Sequence, residues 1–169
     1  MKLSSALLAL LSIATPIYAQ GFLHQLNSDP KAVAHGLNIN VEVEFLDDET
    51  SSAGLGPAKL TNGIHNKLSI GLVNNEDKPL GVSFIGGSLW NSQGTNIRNL
   101  TQQILTVEVQ PEERADIPYS IFVDMHPQEI TLRLGLIVKT ADDRLLSVDA
   151  YNATVAVVEQ PMSILDPQM

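Results

Sequence analysis

The chain contains no cysteine, and that absence removes several explanations together. Disulfide-stapled scaffolds, thiolate metal sites and thiol redox chemistry all require residues the sequence does not have. Basic charge is scarce as well, with ten Lys and Arg against nineteen Asp and Glu, a formal net charge of −9. Nucleic acid and anionic lipid are gripped by clustered Lys and Arg, so no nucleic-acid partner is expected. The acidity serves solubility, or attracts basic peptides or divalent cations. Catalytic signatures are missing too. Neither a G-x-S-x-G elbow nor an H-E-x-x-H pair occurs. His24, His35, His65 and His126 are scattered without i, i+4 partners. Gly54-Leu55-Gly56-Pro57 lacks the third glycine and the following helix that a phosphate cradle needs.

The N-terminus carries a targeting signal. Lys2 gives a positive start, Leu7 to Leu11 form a short apolar run, Pro16 breaks it, and Ala19 precedes a cut before Gln20. The run is shorter than the roughly 20 apolar residues that cross a bilayer. Residues 1–19 are therefore read as a signal peptide, leaving 169 − 19 = 150 residues. That is the size of one domain with its own core. Without Lys2 its formal charge moves to −10.

The remaining sequence is dominated by alternation with a period of two. Leu37, Ile39, Val41, Val43 and Phe45 alternate with Asn38, Asn40, Glu42 and Glu44, a pattern that fits a half-buried strand and not a helix. Leu68 to Leu72 repeat it, and Val82 to Trp90 form a third strand, with a bulge or bend expected at Gly86-Gly87. Phe84 and Trp90 are assigned to its core face. Leu105 to Val109, Ile117 to Met125, Ile130 to Val138 and Val148 to Val158 complete the set. Pro118 places the fifth of these at an edge or bulge. The connections are too short for crossover helices. The fold expected is all-β, an antiparallel immunoglobulin-like β-sandwich of about seven strands over residues 37–159. Residues 20–36 form an N-terminal segment with a short helix near Pro30, residues 47–66 read as a polar loop, and 160–169 as a linker.

Two sequons stand out behind the signal peptide: Asn99-Leu100-Thr101 and Asn152-Ala153-Thr154. In the last strand Asn152 and Thr154 share the polar face, as a glycan acceptor requires. Acidic groups at strand ends, Asp47-Asp48-Glu49, Asp77 and Asp142-Asp143, are the candidates for weak calcium binding assembled across loops. Asp142-Asp143 also has a plain reading as a hairpin turn.

Taken in order, these strands resemble the alpha subunit of the translocon-associated protein complex. The resemblance runs from Asn66 to Gln160. It is carried by Leu68 to Asn75, Gly87-Ser88-Leu89, the Asn99 sequon, Val109 to Ala115, Tyr119 to Phe122, Arg133 to Val138, and Tyr151 to Glu159 with the second sequon. Among family members it is most similar to the fungal increased recombination centres proteins. The resemblance implies a non-enzymatic subunit on the lumenal side of the endoplasmic reticulum, beside the Sec-type protein-conducting channel and its nascent secretory chains. It also implies a single-pass type I anchor and an indirect link to genome integrity in fungi. Calcium binding in the lumen is another property the family suggests, and no other cofactor is implied. Two departures are visible. The acidic stretch before the domain is reduced to Asp47-Asp48-Glu49 and neighbours, and the anchoring helix expected after the last strand would begin about where the chain stops, at Met169.

Two other readings stay open on sequence alone. A secreted or cell-surface β-sandwich for adhesion or ligand binding would share the strands and sequons. An enzyme would need a cleft gathering Asp, Glu and His from separate loops.

Overall fold

The computed structural model describes residues 36–48 and 56–161. The signal segment with its cut between Ala19 and Gln20, the helix expected near Pro30, Glu49 and most of the 160–169 linker lie outside them.

Among the described residues nine strands follow one another: β1 (Ile39–Phe45), β2 (Ala58–Thr61), β3 (His65–Asn74), β4 (Leu80–Trp90), β5 (Asn96–Asn99), β6 (Gln103–Val109), β7 (Arg114–Phe122), β8 (Gln128–Lys139) and β9 (Leu145–Val158). They form two sheets, one of order β1-β3-β7 and one of order β2-β9-β8-β4-β5, with β6 also on β4. The all-β sandwich expected from alternation is present. The seven strands read from the sequence correspond to β1, β3, β4, β6, β7, β8 and β9. Two short ones are additional.

One addition corrects the reading of 47–66 as loop throughout. β2 lies inside that segment and pairs in parallel with β9, Ala58 opposite Val155 and Thr61 opposite Val158, so the sandwich is not purely antiparallel. Four residues are too few to show a period, and the pairing that makes them a strand comes from almost a hundred residues away. Asp48 helps to place β2: its Oδ2 accepts the amide of Lys59 at 2.8 Å.

The second correction concerns β4. The register shifts between Val82 and Phe84 against both β6 and β8, so the bulge falls at Ser83. Gly86 and Gly87 stay in regular register with Gly135 and Leu134. The extra residue reverses the phase. Val82, Ile85 and Leu89 are buried between the sheets, while Phe84 and Trp90 turn to the outer face, contrary to their expected core role. Gly87 is needed for another reason. A Cβ there would sit 2.4 Å from the Arg133 carbonyl oxygen and 2.7 Å from Leu134 Cδ2. A comparable shift between Leu134 and Gly135 in the β8–β9 register explains why Val148 and Ala150 are buried on even positions but Val155 and Val157 on odd ones.

The core lies between the sheets. Leu68, Ile70 and Leu72 of β3 and Ile117 and Ile121 of β7 face Ile85, Leu89, Leu132, Leu134 and Leu136 from the larger sheet, all nearly inaccessible. Each such side chain contributes about 1.5–3 kcal/mol by leaving water. Tyr151 crosses between layers to meet Phe45 edge to face, centroids 5.3 Å apart. β7 is an edge strand, in keeping with Pro118, which lies opposite Ser69.

Two buried asparagines close the sandwich at opposite ends of β3. Asn66 Oδ1 accepts from Thr61 N at 2.6 Å, and its Nδ2 donates to the carbonyls of Thr61 and Ile121. Asn74 Nδ2 donates to the carbonyls of Lys78 and Val109, at 2.9 and 3.0 Å, while its Oδ1 accepts from Glu76 N. Their amides satisfy backbone groups where the ladders stop, which a buried polar side chain must do to be tolerated.

Candidate functional site

The pairing registers bring the two sequons together. Asn99 lies opposite Ser88, Ser88 opposite Arg133, and Arg133 opposite Asn152. Paired residues in a ladder point to the same side, so these four form one transverse row on the outer face of the larger sheet. Asn99 and Asn152 stand three strand spacings apart, about 14 Å. Asn99 and Thr101 are exposed, Asn152 is half-buried, and Thr154 is exposed. Asn99 sits at the end of β5, not in a turn, and its Oδ1 accepts a bond from Asn96 Nδ2 at 3.0 Å. Leu100 is buried, its amide donating to the Gly87 carbonyl. The Tyr119 hydroxyl, on the opposite sheet, donates to the Thr101 carbonyl at 2.7 Å. Burial pushes that phenol up to about 12.

Between the sequons lies a stacked pair. The Arg133 guanidinium carbon is 4.4 Å from the centroid of the Trp90 ring, and the indole Nε1 donates to Ser88 Oγ at 2.7 Å. Arg133 Nε is buried without a hydrogen-bond partner. Leaving such a donor unpaired costs about 1–3 kcal/mol, which the stack offsets in part, by about 0.5–2 kcal/mol. Further along the same face Ile104, Phe84 and Ile137 make an apolar row, with Ile104 83% exposed.

The acidic candidates are differently disposed. Asp47 Oδ2 accepts the Lys67 amide at 2.8 Å, and Asp48 is buried under β2. Asp142 faces Lys78 and Arg144, each at 3.9 Å, and Asp143 pairs with Lys139 at 3.0 Å. Asp142-Asp143 form the β8–β9 turn, Asp143 with φ of 60°, as the hairpin reading requires. The first pair follows the end of β1. Of the second, Asp142 gathers with Asp77 near its start, around a cleft of about 160 Å³ that also holds Lys78 and Arg144, while Asp143 lies outside that cleft. Among the described residues no group of three His, Asp or Glu side chains is placed to hold a metal ion. A shallow cleft of about 650 Å³ beside Gly81 is lined by Glu108, Lys139 and Asp143 among others, with no histidine. His65 instead packs its ring against Phe122, centroids 5.2 Å apart. No helix of the described residues is long and apolar enough to cross a membrane.

The fold and these surfaces define a β-sandwich module with open sheet faces and strand edges. The sequence model of the translocon-associated protein (TRAP) alpha subunit family matches residues 42–169, and the chain belongs to that family. The family is named for association with the translocon. The chain is 28% identical over 149 residues to Increased recombination centers protein 22 of Meyerozyma guilliermondii. The match covers 84% of this chain and 62% of that relative's length. Among solved structures, the C-terminal domain of wzt superimposes with a TM-score of 0.52 at 12% identity, covering 82% of this chain and 80% of that one. A Niemann-Pick type C2 protein from the Japanese carpenter ant gives 0.43 at 7% identity, covering 74% and 97%. The wzt likeness concerns the fold alone.

The row of Asn99, Ser88, Arg133 and Asn152 was partly legible. Each sequon could be read locally, but their alignment depends on three strand pairings that no local pattern encodes. The stack of Trp90 on Arg133 was missed because the Ser83 bulge hides the phase of β4.

Proposed function

We propose that this domain is a lumenal accessory subunit seated beside a Sec-type protein-conducting channel, assisting translocation, early maturation or retention of secretory chains. Family membership over residues 42–169 is the observation that carries this reading. In this reading residues 1–19 are removed after Ala19, the full-length protein is held by a C-terminal single-pass helix, and the effect on genome integrity is indirect. The charge balance supports the last point, because ten basic residues against nineteen acidic ones disfavour contact with DNA phosphates.

Contact with the channel or an emerging chain falls to the edge strand β6 and its apolar neighbours. Residues Gln103–Val109 carry no Pro or Lys that would blunt the edge, so an extended segment can add to it by main-chain hydrogen bonds. Ile104, beside Phe84 and Ile137, offers that segment an apolar contact.

Asn99 and Asn152 are the glycan acceptors. In the transfer, Asn Nδ2 bonds to C1 of the reducing-end sugar of a polyprenyl-pyrophosphate-linked oligosaccharide. The C1–O bond breaks, the pyrophosphate leaves with its electron pair, and the amide gives up one proton.

The test is affinity purification of the full-length protein from gently solubilised microsomes with quantitative mass spectrometry. Enrichment of channel subunits over abundant resident membrane proteins is expected. Channel subunits at background, with the bait well recovered, would return the domain to the adhesion or ligand-binding reading.

A further inference from the structure

Trp90 is half-buried on the outer face of the larger sheet. One side of its indole is covered by the Arg133 guanidinium, 4.4 Å from the ring centroid, and its Nε1 is tied to Ser88 Oγ. The buried Nε of Arg133 shows that this side chain lies flat across the sheet and is not extended into water. The ring is thus held in one orientation, half-buried, on the face that bears both sequons.

The acceptor nearest to it is equally constrained. Asn99 lies opposite Ser88, two residues from Trp90 on β4, and Asn96, whose amide donates to Asn99 Oδ1, lies opposite Trp90 itself. The sequon backbone is held by Leu100 N on the Gly87 carbonyl and by the Tyr119 hydroxyl on the Thr101 carbonyl. Asn99 and Trp90 are therefore diagonal neighbours across the β4–β5 ladder, about 7–8 Å apart, within reach of a sugar attached at Asn99 Nδ2. Pyranose rings present a C–H face that packs on aromatic rings, and indole offers the largest such surface of any side chain.

We infer that the stack of Trp90 on Arg133 is an intramolecular docking platform for the innermost N-acetylglucosamine of the glycan on Asn99. The glycan on Asn152 flanks it from the Arg133 side. This rests on the glycosylation reading above and deepens it. The sugar shields an aromatic ring that the Ser83 bulge forces outward, and it leaves the Ile104, Phe84 and Ile137 row, with Phe84 six residues before Trp90 on β4, open for protein contact.

Trp90 is the chain's sole tryptophan, so its emission reports the platform alone. The 169-residue chain is produced through the secretory pathway of a glycosylating yeast host, and intact mass is compared with acrylamide quenching in three states: untreated, trimmed to one sugar per site, and fully deglycosylated. Trimming is expected to leave quenching unchanged, and complete removal to raise the quenching constant about twofold as the indole is uncovered. Asn99→Gln should reproduce most of that rise and Asn152→Gln little of it. Absence of a glycan mass overturns the glycosylation reading and the inference with it. If glycans are present but quenching rises on trimming, does not rise on complete removal, or follows Asn152 instead of Asn99, the platform is overturned while glycosylation stands. Enzymatic removal acts on the folded wild-type chain, so the test survives if Asn99→Gln fails to fold.

Discussion

The outer faces of the two sheets were written with the same alternation and came out as different surfaces. On the three-stranded sheet, Arg114 bridges Asp116 at 2.9 Å and Glu42 at 3.2 Å across the bare backbone of Gly71. Those hydrogen bonds, Asp116 first, hold its charge above the ordinary range. On the six-stranded sheet, the central outward positions of β4 and β8 are Phe84, Gly86, Ser88, Trp90, Thr131, Arg133, Gly135 and Ile137, with Arg133 the single charge among them and Glu129 and Lys139 exposed at the two ends of β8. The first face is a solvated charge network, whereas the centre of the second carries an indole–guanidinium stack and two sequons, with its charges toward the strand ends.

The comparison can be broken first at the larger sheet's interior. Leu134→Ala should cost about 3–5 kcal/mol, because the residue is fully buried at the centre of the widest layer. Gly87→Ala should cost about 2–3 kcal/mol, since the Arg133 carbonyl it would strike is backbone and cannot turn aside. Urea midpoints measure both, and a loss below 1 kcal/mol for either would mean that β4 and β8 pack less closely than described. Asn74→Ala, on the smaller sheet, should cost about 2–3 kcal/mol by orphaning the carbonyls of Lys78 and Val109.

The tie between the sheets titrates. Tyr119 ionises near 10 when unfolded and at about 12 when folded, so its contribution is complete below pH 10 and is lost as pH rises toward 12. Thermal midpoints should fall across that window, and Tyr119→Phe should flatten that part of the fall while lowering stability by about 1 kcal/mol at neutral pH. An unchanged profile in the variant would sever the assignment. The smallest effect belongs to the exposed network: Arg114→Ala should leave the thermal midpoint almost unchanged and remove what little salt dependence the smaller sheet shows.

How much of this was readable in the chain differs from one element to the next. β1 could be read outright, since Ile39, Val41 and Phe45 are buried where the alternation puts them. β8 was equally legible from Ile130 to Val138. Pro118 announced an edge and lies on one. Misreadings occurred where a single residue changes the phase. At β4 the paired glycines drew attention to Gly86-Gly87, yet the irregularity sits at Ser83, and Phe84 and Trp90 changed sides with it. β2 escaped notice because four residues hold too little pattern to be read without their partner.

The chain by itself determined that this protein is an all-β domain with one buried face per strand and two sequons, because alternation and sequons are local chemistry. Tertiary structure alone decided that Asn99 and Asn152 share a row, that Trp90 lies between them on Arg133, and that Asp47 and Asp142 stay at opposite ends. Those outcomes rest on register. Register is set by the sum of core packing over all the strands and by where one extra residue is admitted, and no window of sequence contains that sum.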